Sequence, residues 1–181
     1  MAWTAPMTAV AGAVYTAAQF NTFVRDNLLE CAPAKATTAS GYFVTSATNQ
    51  ISQRTALQTL ITASDTTSAT SYSDLDNGPG PTLDVTTGSA AIVVVGGRIG
   101  GGTVATQSVK MSWEVSGVSS IAAVDTWAAG VVGIGSTAFG YVSRAYLTTG
   151  LTPGLNTFTA KYSVSSGTGT YSQRTLYVMP F

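Results

Sequence analysis

The sequence predicts a mainly β protein, a jelly-roll-like antiparallel β-sandwich with an N-terminal arm and one short α-helix. Three observations predict this fold. From residue 55 onward there are about eight short candidate strands, and several of them alternate apolar and polar side chains, which is typical of strands with one buried face. Turn signals rich in glycine and proline separate these segments. No helical pattern lies between them, which favours antiparallel strands over βαβ units.

Residues 1–31 are predicted to form an arm and an anchoring helix. Thr16 and Gln19 have the spacing of a capping box, in which each side chain bonds the other's backbone N–H. Apolar residues follow at helical spacing, so residues 16–30 are predicted to form the helix, and Pro33 is expected to end it. A helix this short is marginal alone in water, so its apolar stripe needs a partner, either the body of the chain or another copy. The candidate docking or subunit-contact residues are Trp3, Tyr15, Phe20, Phe23, Val24 and Leu28.

Residues 32–54 are predicted to be an extended connector, because they are mostly Ala, Thr and Ser and carry little hydrophobic mass. Residues 55–181 are predicted to be the β-sandwich body. Its strands are separated by turns such as the one at residues 77–81, where glycine and proline alternate. The predicted strands are residues 56–63, 82–87, 90–99, 107–116, 131–134, 141–147, 156–164 and 174–179.

The predicted strand at residues 90–99 begins with a run that is apolar on both faces, from Ala90 to Val95. A strand of a single sandwich buries only one face in the core, so a two-sided apolar strand implies a second cover. An interface with another copy of the chain would supply that cover, and so would a loop. The first alternative predicts an oligomer.

The composition argues against an enzyme, a metal protein and a nucleic-acid-binding protein. The 181 residues include eight basic, eight acidic and no histidine side chains, so the net charge is zero and there is no electrostatic footprint for nucleic acid or an anionic membrane. Cys31 is the one cysteine, which excludes a Cys–His pair and a Cys/His zinc cage. The longest apolar run is far shorter than the roughly 18 residues that span a bilayer. No catalytic residue, cofactor or metal is therefore expected.

Three weaker patterns that could indicate a functional site also have simpler structural interpretations. Residues 100–105 match a dinucleotide-binding glycine motif, but a strand follows instead of the helix that this site needs. Residues 74–78 begin like a calcium loop, yet Gly78 stands where the fifth position needs an oxygen ligand. Turn chemistry explains this segment, and a loose surface cation site stays open. Glu114 lies on the outward side of its predicted strand and is expected to be an ordinary exposed acid.

Four aromatic side chains of the body are candidates for contacts with a ligand. Exposed aromatic rings stack on sugars, and a host surface glycan is the ligand that this interpretation implies. A role in the core or in a subunit interface is nevertheless favoured for each ring. The four residues are Trp127, Tyr141, Tyr146 and Tyr171.

Segments at both ends of the chain resemble a group of actinobacteriophage virion proteins. The specific part is Trp3 followed by Thr16-Ala-Ala-Gln-Phe-Asn-Thr-x-Val-Arg-Asp-Asn-Leu28. Members of the group are usually described as minor tail, fibre or head-decoration proteins. The C-terminal segments that are similar are Leu151-Thr-Pro-Gly154, Phe158-Thr-Ala-Lys-Tyr162, Gly167-Thr-Gly169 and Arg174-Thr-Leu-Tyr-Val178.

The resemblance implies a trimeric jelly roll that is presented on a phage particle, with no catalytic residues. The expected protein is an exterior homotrimeric knob of the virion, made in the host bacterial cytoplasm and anchored to the particle through its N-terminal arm. Its expected partners are further copies of itself and the major capsid protein or a tail protein. Capsid decoration and stabilisation is the favoured role. The alternative is a minor tail or tail-fibre protein that binds a host carbohydrate receptor.

Overall fold

The computed structural model describes residues 3–101, 107–132 and 138–181. The chain divides into two compact units, Met1–Thr55 with Phe181 and Ala56–Pro180. We call them the N-terminal unit and the body. Part of the glycine motif (residues 102–105) and the end of one predicted strand (residues 133–134) lie outside the described residues.

The helix of the N-terminal unit begins where the sequence predicts. It runs from α1 (Ala17–Phe20) through a π-helical turn (Asn21–Arg25) to α2 (Asp26–Leu29). The Gln19 amide donates to Thr16 Oγ1 at 3.2 Å, and the Thr16 amide donates to Gln19 Oε1 at 2.9 Å. The capping box is therefore formed, and two backbone N–H groups at the helix start have partners.

The helix ends at Leu29, within one residue of the predicted end, but Pro33 is not what ends it. Pro33 instead lies in the first turn of a new short helix, α3 (Ala32–Lys35). Proline fits there because the N–H groups of a first helical turn have no partner within the helix, so the missing proton costs nothing. Cys31, with extended backbone, separates the two helices.

The segment expected to be an extended connector is organised as α3 and a β-hairpin. Strands β1 (Tyr42–Ala47) and β2 (Gln50–Arg54) pair antiparallel. The turn between them has Asn49 at φ 56°, a conformation that asparagine tolerates better than most residues. Backbone pairing thus orders a segment that has little hydrophobic mass.

The body is a two-sheet antiparallel sandwich, which confirms the predicted fold class. One sheet has the strand order β3–β11–β6–β9, with β4 paired to β11, and the other has the order β5–β10–β7–β8. A single 3₁₀ turn, Asp125–Trp127, lies among the described connections of the body. The body strands are β3 (Leu57–Ile61), β4 (Asp65–Thr67), β5 (Thr82–Thr87), β6 (Ala90–Gly100), β7 (Ser108–Gly117), β8 (Ala129–Val132), β9 (Phe139–Thr149), β10 (Gly154–Val164) and β11 (Gly169–Pro180).

The core of the body lies between the two sheets, where the predicted alternation places it. Met111 and Trp113 on β7 and Phe158 and Tyr162 on β10 are fully buried. On the other sheet, Val93, Val95, Leu176 and Val178 are also fully buried. Tyr162 packs edge-on against Tyr171, with ring centroids 4.8 Å apart. The two-residue period of these strands therefore predicts the inward face correctly.

Candidate functional site

The N-terminal arm is fixed to the helix through the side chain of Asn27. The Thr4 amide donates to Asn27 Oδ1 at 2.8 Å, and Asn27 Nδ2 donates to the Thr4 carbonyl at 2.8 Å. Asn27 Nδ2 also donates to the Phe23 carbonyl at 3.1 Å. The carboxamide thus pairs with the arm as a neighbouring strand would. Since Asn27 is only 8% exposed, these bonds are shielded from water.

A second backbone contact holds the arm at the hairpin turn. The Trp3 amide donates to the Asn49 carbonyl at 2.9 Å. Residues 3 and 4 are thereby tied both to α2 and to the β1–β2 turn. This tie fixes the position at which the Trp3 ring is presented.

The fixed arm and the helix together form an apolar groove of about 240 Å³. Trp3 and Pro6 line it from the arm, and Phe23, Val24 and Leu28 line it from the helix. A second groove of about 400 Å³ is lined by residues 7–10, 13–15 and 19. The helical stripe and the arm thus share one surface.

The six predicted docking residues are all incompletely buried. We call them the N-terminal apolar surface: Trp3, Tyr15, Phe20, Phe23, Val24 and Leu28. Leu28 is 61% exposed, Phe20 48% and Trp3 41%, while Phe23 and Val24 are half-buried. The Tyr15 and Phe20 rings meet edge-on with centroids 6.3 Å apart. A helix face of this kind normally packs against another element.

Charges near the N-terminal apolar surface are paired within their own segment. The Arg25 guanidinium lies 2.7 Å from the Asp26 carboxylate, and Lys35 Nζ lies 3.1 Å from the Glu30 carboxylate. Glu30 is buried, at 7% exposure. The surface therefore offers apolar contact with little net charge, which suits docking to a protein partner better than to an anionic polymer.

The four candidate ligand-contact aromatics of the body are not brought together at an exposed loop. Tyr171 is fully buried on β11, and its hydroxyl donates to the Ser163 carbonyl at 2.8 Å. Tyr171 therefore has the core role that the sequence favours for it, because its position on β11 faces the core. Trp127 stacks on Trp113 with centroids 5.3 Å apart, and Tyr146 meets Trp127 edge-on at 5.5 Å. Tyr141 is 76% exposed.

Three acids of the body, Asp74, Glu114 and Asp125, pair with nearby side chains. Glu114 lies 3.0 Å from Lys161 Nζ, and Asp74 lies 2.8 Å from the same nitrogen. Asp125 accepts from Tyr72 and from Lys110 Nζ, at 2.6 and 2.7 Å. The hydrogen bonds from these two donors hold the pKa of Asp125 below its usual range. These carboxylates behave as surface ion pairs.

The segment that begins like a calcium loop is a turn. Leu75 and Gly78 form an isolated bridge, and the Gly78 amide donates to the Leu75 carbonyl at 3.1 Å. Asp76 accepts from the Thr66 hydroxyl at 2.8 Å. The Asn77 side chain donates to buried Asp65 at 2.7 Å. The polar side chains thus bond to protein partners, as turn chemistry requires.

Asn27 is the functional residue that sequence reasoning missed. It stands inside a helix, where asparagine is a poor helix former. That mismatch is a signal that the side chain has another role. The partner itself was not predictable, because Thr4 lies 23 positions away along the chain.

Comparisons with known proteins show likeness of shape at very low sequence identity. No protein-family model and no curated protein matches the sequence. The Eiger TNF of S. frugiperda superposes with a TM-score of 0.45 at 9% identity, over 70% of this chain and 91% of that chain. The VP2 subviral particle of infectious bursal disease virus gives 0.44 at 9% identity, over 76% of this chain and 36% of that chain. Its Gx strain gives 0.38 at 10% identity, over 71% and 34%.

The function of the protein therefore has to be inferred from its own residues. In the part of the chain that the structure describes, no helix is long and apolar enough to cross a membrane. The same residues contain no cluster of three or more ligating side chains with the arrangement of a metal site. The N-terminal apolar surface is the candidate site that the structure defines most fully, through its grooves, its exposed side chains and the hydrogen bonds of Asn27.

Proposed function

We propose that this protein is a bacteriophage virion structural protein. It forms an exterior homotrimeric knob that attaches to the particle through its N-terminal unit, and it decorates and stabilises the capsid. The resemblance of residues 16–28 to actinobacteriophage virion proteins supports the assignment. The same residues form the capped helix that carries most of the N-terminal apolar surface.

The exposure of the N-terminal apolar surface is the observation that carries this proposal. A buried aromatic side chain removes about 150–250 Å² from water. Trp3 and Phe20 are 41% and 48% exposed, so burying what remains of each would contribute about 2 kcal/mol. Since a symmetric particle repeats the same contact in many copies, modest contributions of this kind give firm attachment.

The composition of the chain supports a repetitive coat. Only 9% of the residues are charged and the net charge is zero. Serine and threonine supply the polar surface instead. Copies that lie side by side on a particle would therefore experience little like-charge repulsion. A strongly charged protein would be penalised at that density.

The test places a lysine on the N-terminal apolar surface and compares particle binding of this variant with that of a variant in which a leucine of the body is replaced by lysine. Leu28→Lys alters a residue that is 61% exposed on α2, and Leu155→Lys alters one that is 57% exposed on β10. Both side chains are exposed, so both variants should fold. We expect Leu28→Lys to lose binding to particles that lack the protein, while Leu155→Lys binds like the wild type.

Equal binding of the two variants would refute the docking assignment. Labelling the bound wild type on intact particles tests the location. Label over the whole head supports capsid decoration. Label confined to the tail would overturn decoration in favour of a tail protein.

A further inference from the structure

The two sheets of the body present opposite chemistry on their outward sides. On the β10–β7 pair, the outward positions carry Lys161 and Glu114, which form an ion pair, and Thr157, which donates to Asp84 at 2.6 Å. This is the polar pattern expected of a sheet that faces water. The other sheet does not follow it.

The outward side of the β3–β11–β6–β9 sheet carries large apolar side chains among its polar residues. Val93 and Val95 point into the core, so Ile92 and Val94 point outward. Cross-strand register continues this side, because Val94 faces Tyr177 and Ile92 faces Leu147. We call it the outer apolar face, formed by Leu60, Ile92, Val94, Tyr141, Leu147 and Tyr177.

The outer apolar face has both a recess and a projection. A groove of about 450 Å³ lies at Gly96, between Leu60 and Tyr141. A side chain at Gly96 would place its Cβ only 2.6 Å from the Val142 carbonyl oxygen, so the floor of the groove requires glycine. Leu147, elsewhere on the same face, is 51% exposed and projects from the sheet edge. When the projection of one copy inserts into the recess of the next, the contact joins different parts of the two copies, and such a heterologous contact can close a ring of three.

The apolar area of this face matches what a stable interface between subunits needs. Tyr141 at 76% exposure offers about 150 Å², and Leu60 and Leu147 at 51% offer about 50 Å² each. With Phe139 and the half-buried side chains between them, the face offers roughly 400 Å² of apolar surface. A standard interface buries about 800 Å² per partner, of which roughly 450–500 Å² is apolar. The face therefore supplies most of that apolar share.

The charge of the outer apolar face also fits a second copy. Of the outward residues on its four strands, all of which the structure describes, Arg98 is the one charged residue. Its guanidinium lies over the Phe139 ring, 3.9 Å from the centroid. A neighbouring copy that packs on this face therefore meets no unpaired acid, whereas a charged polymer would find one cation.

We infer that a second copy of this chain covers the outer apolar face. The inference rests on the proposed homotrimer and gives it a surface, namely the Gly96 groove and the Leu147 projection. Particle docking then uses the N-terminal apolar surface, and self-association uses the body. The two contacts can be disabled separately.

The experiment measures the mass of the full-length protein in solution by sedimentation velocity, without particles. Leu147→Lys and Leu155→Lys are matched variants, since both replace a half-exposed leucine on an outward strand position, at 51% and 57% exposure. We expect the wild type and Leu155→Lys to self-associate. We expect Leu147→Lys to weaken the association at least about tenfold, since a lysine charge replaces apolar contact in the interface. Thermal unfolding of each variant checks that the body is intact.

Leu60→Lys alters the wall of the Gly96 groove that lies across from Tyr141, and it provides an independent second test. Loss of association in both Leu147→Lys and Leu60→Lys, with unchanged unfolding, supports the inference. A wild type that sediments as a monomer overturns it, and so does association that both variants retain. Neither result tests which surface contacts the particle, because Leu28→Lys measures that contact separately. If instead Leu28→Lys binds particles normally while Leu147→Lys dissociates, the docking assignment fails and this inference stands.

Discussion

Replacing Asn27 by alanine should release the N-terminal arm while leaving the body intact. The side chain makes three hydrogen bonds, two to the backbone of Thr4 and one to the Phe23 carbonyl. Alanine removes all three bonds. It leaves the Thr4 amide and carbonyl without the partner that mimicked a neighbouring strand, in a place shielded from water.

The size of the effect follows from the number of bonds. Each hydrogen bond contributes about 0.5–1.5 kcal/mol net, so the two bonds to Thr4 hold the arm with about 1–3 kcal/mol. Since 1.4 kcal/mol corresponds to a factor of ten, the arm should open about 5- to 150-fold more often in Asn27→Ala. The Trp3 ring would leave the groove with it, so particle binding should weaken in parallel.

Hydrogen exchange at the Thr4 amide measures this opening directly. We expect its exchange to accelerate by that factor in Asn27→Ala, while amides of the β10–β7 pair keep their wild-type rates. Thr22→Ala, an exposed position on the same helix, is the control and should leave Thr4 exchange unchanged. An unchanged rate at Thr4 in Asn27→Ala would show that the carboxamide does not hold the arm.

Two further predictions concern the stability of the body. Trp113 is fully buried and stacks on Trp127, so Trp113→Ala should lower the free energy of unfolding by about 3–5 kcal/mol in denaturant titrations, against less than about 0.5 kcal/mol for exposed Leu155→Ala. Equal losses would contradict the assigned core. Burial favours the protonated form of Asp65, but hydrogen bonds from Asn77 and Thr66 outweigh it and hold its pKa below the usual value. Because the folded-state pKa is lowered, ionised Asp65 stabilises the fold above the unfolded pKa of about 3.9, and this stabilisation is lost as the pH falls through the folded-state pKa. The denaturation midpoint of the wild type should therefore drop in acid, and that of Asp65→Asn should drop less. An identical acid profile in that variant would assign the acid sensitivity to other carboxylates.

The body could be predicted from sequence because its signal is local. On β7, and on β10 from Phe158 onward, apolar side chains alternate with outward polar ones, and a two-residue period has one structural meaning in a sandwich. The bounds of β5, residues 82–87, follow from the turn signals on both sides. The strand at residues 65–67 gave no such signal. Its Asp-Thr-Thr sequence is polar, and it is a strand only because it pairs with Gly169–Tyr171 of β11.

The N-terminal unit could be predicted only in part, because long-range contacts decide its details. The capping box at Thr16 and Gln19 is a local device, and it fixed the start of the helix correctly. The end was decided elsewhere, since Pro33 is compatible both with ending one helix and with beginning another. The role of Asn27 depends on an arm that returns to the helix, and no periodicity encodes that return.

Separating the two apolar surfaces has a physical consequence for attachment. If the outer apolar face joins copies through their bodies, each assembled knob carries several N-terminal apolar surfaces. Once one has docked, the others bind at a high effective concentration, which multiplies overall affinity by about 10²–10⁴ without any new contact. A weak, nearly uncharged docking surface is then sufficient, and a single copy would be released easily. In this arrangement the outer apolar face gathers the copies, and the small docking grooves attach them to the particle together. Neither surface then needs a high affinity of its own.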